Sequence, residues 1–215
     1  MTITLWGRET SSNVQKVRWA LAELGVACEH VLLGGRHGGN KTEAYLAMNP
    51  NGLVPTIRDG DLVLWESHAI LRYLSVTYGV GSLWPEQPRD RALVDQWTDW
   101  VATTYQRGWI DTFWGLVRTP AAQRNHEQIA RDIAYAERCF AIMDGQLGRT
   151  QFLAGDRLTY ADIAAGVAMY RWTTMDIERQ DHPNVARWHE RLRARSAYRD
   201  MVEIDYSELV GRLSF

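Results

Sequence analysis

The 215-residue sequence is short of three things that would narrow its function at once: cysteine, an excess of either charge, and long apolar runs. Its two cysteines, Cys28 and Cys139, stand far apart and form neither a CxxC pair nor a metal-ligand cluster. They read as buried free thiols, which excludes a disulfide scaffold and a structural zinc site. Twenty-four Lys and Arg against 26 Asp and Glu leave a net charge of −2, too weak a field to recruit nucleic acid. No apolar stretch approaches the ~20 residues that cross a bilayer. The opening MTITLWGRE lacks the basic segment and apolar run of a secretory signal. These absences predict a cytoplasmic protein with no metal, no membrane and no nucleic acid partner. A phosphate loop is missing too, because the glycine-rich GGRHGGNK ends in Asn40-Lys41 where Gly-Lys-Ser/Thr is required.

What is present is core-forming material, 46% hydrophobic residues with 11% aromatic, enough for one large domain or two small ones. TITLW (2–6) is short and β-prone, and Val14, Val17, Leu21 and Leu24 then recur at helical spacing until Gly25. CEHVLL (28–33) alternates like a strand, KTEAYLAM can form a short helix, and VPTIR and LVLW flank Asp59-Gly60-Asp61 as a hairpin. A helix from about Glu66 to Tyr78 completes a βαβ, α, ββα order, which predicts a small mixed sheet covered by helices over 1–80. After a linker at 81–88, helical periodicity over 89–117, 121–147, 160–174 and 183–195 predicts an all-α bundle for 89–215. The fold class is therefore α/β plus all-α.

In the second part, Thr159 and Asp162 stand at capping-box spacing within LTYADIAAG. Trp97, Val101, Tyr105, Trp109 and Phe113 recur every four residues. Such a stripe packs a core or a dimer, or lines an apolar pocket, for which Tyr105 and Trp109 are the candidates. Five arginines between Arg187 and Arg199 read as a solvated or acid-paired face.

The whole chain resembles the cytosolic glutathione transferases, of the bacterial, serine-type, theta-like kind. The likeness is carried by SSNVQKVRWALAELGV (11–26), NPNGLVPTIRDGDLVLWESHAILRYL (49–74) and the LTYADIAAG cap. It implies a thioredoxin-like N-terminal domain and an α-helical bundle domain in a homodimer. It also implies glutathione as co-substrate, without a metal, attacking a small hydrophobic electrophile. A glutathione-dependent disulfide reductase or isomerase, or a non-catalytic binding module, stands as the alternative on the same fold.

Several residues fit that site chemically. Proline lacks an N–H, so Val54-Pro55 belongs at a strand start or edge that can accept a peptide. The resemblance implies a cis bond there and backbone pairing of Val54 with glutathione. Ser67 at a helix start can donate to a carboxylate and Glu66 can accept from an ammonium, a pair that by resemblance meets the γ-glutamyl end. His37 or Lys41 is implied for the glycyl carboxylate.

RETSSNVQKVRW (8–19) places hydroxyls and an amide at a helix start. A cysteine-type thiol with a pKa of about 8.5 is only slightly ionised at neutral pH. Lowering that pKa by roughly two units takes about 2.7 kcal/mol. A hydrogen bond to a charged group supplies about 1.5–3 kcal/mol, and a helix N-terminus up to about 2 kcal/mol. By resemblance Ser11 is the donor to the sulfur, Asn13 is the second candidate, and Ser12 is a neighbour that could substitute. Simple capping of the helix by these residues remains open. The segment holds no tyrosine or cysteine, so tyrosine-type activation and a protein thiol nucleophile are disfavoured.

Overall fold

The computed structural model describes residues 2–214. Strand β1 (Ile3–Trp6) turns Ile3 and Leu5 into the core, the alternation expected of a half-covered sheet. Helix α1 (Ser12–Leu24) follows and ends at Gly25 in the left-handed conformation. β2 (Cys28–Val31) then pairs parallel with β1. After the short α2 (Glu43–Met48), β3 (Thr56–Asp59) and β4 (Leu62–Trp65) form the hairpin, turning at Gly60 with φ 60°. The sheet order is β2-β1-β3-β4, with β1–β3 and β3–β4 antiparallel. Helix α3 (Ser67–Tyr78) packs on α1, and Ile70, Leu71 and Leu74 join Val14 and Val17 beneath it. At Gly7, after β1, a Cβ would meet Val14 Cγ2 at 2.4 Å, so only glycine lets the chain turn this tightly into α1.

The mixed sheet with its helices, followed by a helical bundle, matches the expected fold class. One long rod runs from residue 88 to 118: α4 (Pro88–Trp100), a wide turn at Val101–Tyr105, α5 (Gln106–Phe113) and a second wide turn at Trp114–Arg118. The next helix, α6 (His126–Leu147), begins later than the pattern at 121 predicts, because the Asn125 side chain accepts from the Gln128 N–H at 3.0 Å and caps it there. The periodicity over 160–174 resolves into α7 (Tyr160–Gly166) and α8 (Met169–Thr174). α7 stops where Trp19 and Leu192 pack so closely on Gly166 that a Cβ would lie 3.0 and 2.7 Å from them. α9 (Pro183–Arg193) and α10 (Ser196–Val202) close the bundle, the latter a helix beyond the last stretch, 183–195, that periodicity predicts.

α10 and α7 both pack against α1, so the sheet-bearing and helical parts share one core. Trp19, fully buried, meets Tyr198 edge-on at 4.9 Å. The capping box forms as expected: the Thr159 N–H donates to Asp162 at 2.9 Å. Asp162 also accepts from the Leu153 N–H and from Trp188 Nε1. Burial pushes its carboxyl up to about 6 in spite of these donors. Of the basic face, Arg195 pairs with Glu23 at 2.6 Å and Arg193 with Glu203 at 2.7 Å. Cys139 is buried and free as expected, while Cys28 is free but only half-buried.

Candidate active site

The turn from β1 into α1, the segment before β3 and the C-terminal end of the long rod meet around a cavity of about 260 Å³. Ser11, Ser12, Asn13 and Val54 all line it. Ser11 is the residue before α1, with extended backbone, and its hydroxyl caps no N–H of the helix. No described residue accepts or donates at that hydroxyl, which leaves it available to the cavity. Ser12 is largely buried beside it. The Val54–Pro55 bond is cis, and among the described residues nothing pairs with the Val54 backbone N–H or C=O.

Asn13 is held from behind. Its Oδ1 accepts from Lys16 Nζ at 3.0 Å and from the Ser67 hydroxyl at 3.3 Å. An ammonium only donates, so the atom facing Lys16 must be the amide oxygen, and the Asn13 NH₂ remains free to donate elsewhere. Lys16 is itself wholly buried, and it reaches Gln106 Oε1 at 2.7 Å and His68 Nε2 at 2.9 Å. Burial lowers its ammonium to about 7, opposed by the charge of Glu66. Burial, together with the charges of Lys16 and Arg72, lowers His68 to about 2, so its ring is neutral and its Nε2 accepts from the lysine. Periodicity did not single out this lysine. The signal was there, because Asn13, Lys16 and Ala20 share one helix side and Ala20 is core.

Glu66 precedes α3 and, among the described non-glycine residues, it is the one with positive φ, at 70°. The helix therefore begins at Ser67, one residue later than expected, and Glu66 stands exposed beside its N-terminus. Such a conformation disfavours an L side chain and persists where the surroundings impose it. Lys41 is exposed and donates to the Asn51 carbonyl at 3.2 Å, against the turn that leads to Val54. Asn49 and Asn51 shape that turn as expected, with both the Asn51 N–H and side chain on Asn49 Oδ1 at 3.1 Å. His37 lies in an exposed loop, in contact with Arg36, and does not line the cavity.

Residues 5–86 match the family model of the glutathione S-transferase N-terminal domain, and 127–191 that of its C-terminal domain. Glutathione S-transferase GstB of Escherichia coli K12 is 40% identical over 207 residues, 95% of this chain and 100% of that protein. The chain belongs to the glutathione S-transferase family. A glutathione S-transferase 1 of Manduca sexta is 27% identical, over 93% of this chain and 91% of its own length. A theta class glutathione S-transferase from Xanthomonas axonopodis pv. citri, solved with glutathione bound, superposes with a TM-score of 0.91. It is 46% identical, and the match covers 94% of this chain and 98% of that one.

In this glutathione S-transferase the pocket candidates Tyr105 and Trp109 need correcting. Both rings are buried in the helical core, Tyr105 against Phe140, and neither lines the cavity. The four-residue stripe follows the buried side of the rod; of its members Phe113 lines the cavity, beside Ile110 and Trp114. Three arginines that periodicity could not place, Arg8, Arg118 and Arg171, line it too. Among the described residues no helix is long and apolar enough to cross a membrane, and no group of His, Cys, Asp or Glu could hold a metal.

Proposed function

We propose that the chain is a glutathione transferase whose bound thiolate forms at α1 and attacks an electrophile in the adjoining cavity. The observation that carries this is the meeting of Ser11, Asn13 and Val54 on one cavity wall, with Ser67 bonded across to Asn13. The unpaired Val54 backbone receives the cysteinyl part of glutathione like an added strand. The first-turn N–H groups of α3 take the γ-glutamyl carboxylate, which the Ser67 hydroxyl joins by turning from Asn13, and Glu66 takes its ammonium. Lys41, against the turn before Val54, is better placed than His37 for the glycyl carboxylate.

The sulfur then faces the start of α1. The free Ser11 hydroxyl donates to it, and the Asn13 amide is the second donor. Each hydrogen bond to a thiolate contributes about 1.5–3 kcal/mol, which brings the thiol pKa to neutrality or below. Residues 1–80 form the glutathione-binding unit, 81–88 the linker and 89–215 the helical unit that closes the cavity. We read the protein as cytoplasmic and as a homodimer. Leu62 of β4, Val76 of α3 and Leu93 of α4 are exposed and supply apolar surface for a second copy.

The test is a pH titration of glutathione with the protein, followed by the ultraviolet absorbance of the thiolate and by calorimetry. Ionisation of bound thiol near or below neutral pH supports the transferase. Calorimetric binding without thiolate makes the protein a non-catalytic glutathione-binding module and sinks the reading.

A further inference from the structure

We propose that Lys16 is a positioning residue for thiolate formation: its ammonium holds the Asn13 amide by the oxygen, so that the NH₂ group is the one turned to the glutathione sulfur. This rests on the transferase reading and deepens the part given there to Asn13. Asn13 and Lys16 stand three residues apart in α1 and so share one side of the helix. Lys16 Nζ lies 3.0 Å from Asn13 Oδ1, 2.9 Å from His68 Nε2 and 2.7 Å from Gln106 Oε1.

An ammonium carries three N–H donors and no acceptor. Here each donor has one acceptor, and the count fixes the direction of the whole cluster. The amide oxygens of Asn13 and Gln106 and the unprotonated ring nitrogen of His68 must all face Nζ. An amide free to flip presents a thiolate with either its oxygen, which repels the charge, or its NH₂, which stabilises it. A neighbour that can only donate leaves the second.

The surroundings hold Lys16 to this task. It is 1% exposed, and among the described residues no carboxylate lies within ion-pair distance of it. A cation buried against neutral acceptors adds less to stability than a well-packed apolar side chain, so packing alone does not account for it. Two further helices meet α1 to fix the lysine, the first turn of α3 through His68 and the start of α5 through Gln106. The Ser67 hydroxyl also donates to Asn13 Oδ1, at 3.3 Å, but its one proton goes to the γ-glutamyl carboxylate when glutathione binds. Lys16 is then the remaining donor to that oxygen among the described residues. Burial lowers the ammonium to about 7 against the charge of Glu66. The three acceptors and a thiolate close by favour the charged form.

A double-mutant cycle on the thiol pKa of bound glutathione tests the inference, with thiolate absorbance followed against pH at saturating glutathione. Its members are the wild type, Lys16→Met, Asn13→Ala and the double variant. Lys16→Met should raise the bound thiol pKa by about 1 unit. In the Asn13→Ala background the same substitution should add no more than about 0.3 unit. If Lys16→Met does not fold, Lys16→Gln takes its place with the same shifts expected, because its amide nitrogen, one bond nearer the backbone, falls short of Asn13 and carries no charge. An equal rise with and without the Asn13 side chain would overturn the inference, since the lysine would then act on the sulfur by its charge alone. Weaker glutathione binding with an unchanged thiol pKa would overturn it too, leaving Lys16 a purely structural residue. A wild-type thiolate that Asn13→Ala leaves unmoved would also sink it, while the transferase reading stands on Ser11. Absence of bound thiolate in the wild type would remove that reading and this inference together.

Discussion

Ser67 and Asn13 are 54 residues apart in the chain, yet the hydroxyl at the start of α3 donates to the amide oxygen in the first turn of α1 at 3.3 Å. One hydrogen bond therefore joins the group proposed for the γ-glutamyl carboxylate to a group proposed for the sulfur. With Lys16 on the same oxygen, the Asn13 amide nitrogen is left without a partner among the described residues, on a side chain that lines the cavity.

If both Ser11 and Asn13 face the sulfur, Ser11→Ala and Asn13→Ala should each raise the bound thiol pKa by about 1 unit. Thiolate absorbance against pH reads this directly. A shift in only one variant assigns the sulfur contact to that residue alone, and no shift in either removes the activation mechanism.

Lys16 should make stability depend on pH. Its folded pKa, about 7, lies below its ordinary value of 10.5, so between these limits the unfolded chain binds more protons than the folded one. The wild type should therefore gain stability over Lys16→Met as pH rises from 7 toward 10, by at most about 1.4 kcal/mol per unit, the one-proton limit. The gain is lost as pH falls back through 7. Denaturant unfolding at several pH values measures the difference, and a flat difference would show that Lys16 is not displaced from its usual titration.

Asp162 anchors the start of α7 by accepting from three residues, Leu153, Thr159 and Trp188. Asp162→Ala would strand the buried N–H groups of Leu153 and Thr159 and the Trp188 indole. Each stranded donor costs about 1–3 kcal/mol, so a loss of at least about 3 kcal/mol is expected. Because α7 packs on α1, glutathione binding should weaken with it; a loss below about 1 kcal/mol would show that the box is dispensable.

Trp109 and Tyr105 offer a contrast between packing and substrate contact. Trp109→Ala should cost about 3–5 kcal/mol of stability, as for other buried aromatic truncations. Tyr105→Phe should change little, since among the described residues its hydroxyl has only Met169 Sδ, at 4.0 Å. An altered electrophile preference in Tyr105→Phe, with unchanged stability, would return that ring to the pocket.

Much of the architecture is legible in local pattern. The Asp59-Gly60-Asp61 turn, the Thr159/Asp162 box and the apolar spacing of α1 each specify structure through neighbours a few residues away. Helix limits were less legible where a local contact overrode the period, as when Asn125 delays α6. The candidate site divides in the same way. Ser11, Asn13, Val54 and Ser67 stand in short motifs, and the structure brings all four to one place. Tyr105 and Trp109 were misplaced because a four-residue stripe marks a buried helix face without saying whether a core or a cavity lies against it.

The sequence by itself determined the order of elements, the hydroxyl and amide at the start of α1, the Val54-Pro55 edge and the Glu66-Ser67 pair, because each depends on residues adjacent in the chain. Only the tertiary structure decided that Lys16 sits beneath Asn13 with His68 and Gln106, and that Arg8, Arg118 and Arg171 converge on one cavity. Those groups come from segments up to 163 positions apart, between Arg8 and Arg171. Charges so distant in sequence meet only through the packing of the helical bundle on α1, which periodicity along a single helix does not encode.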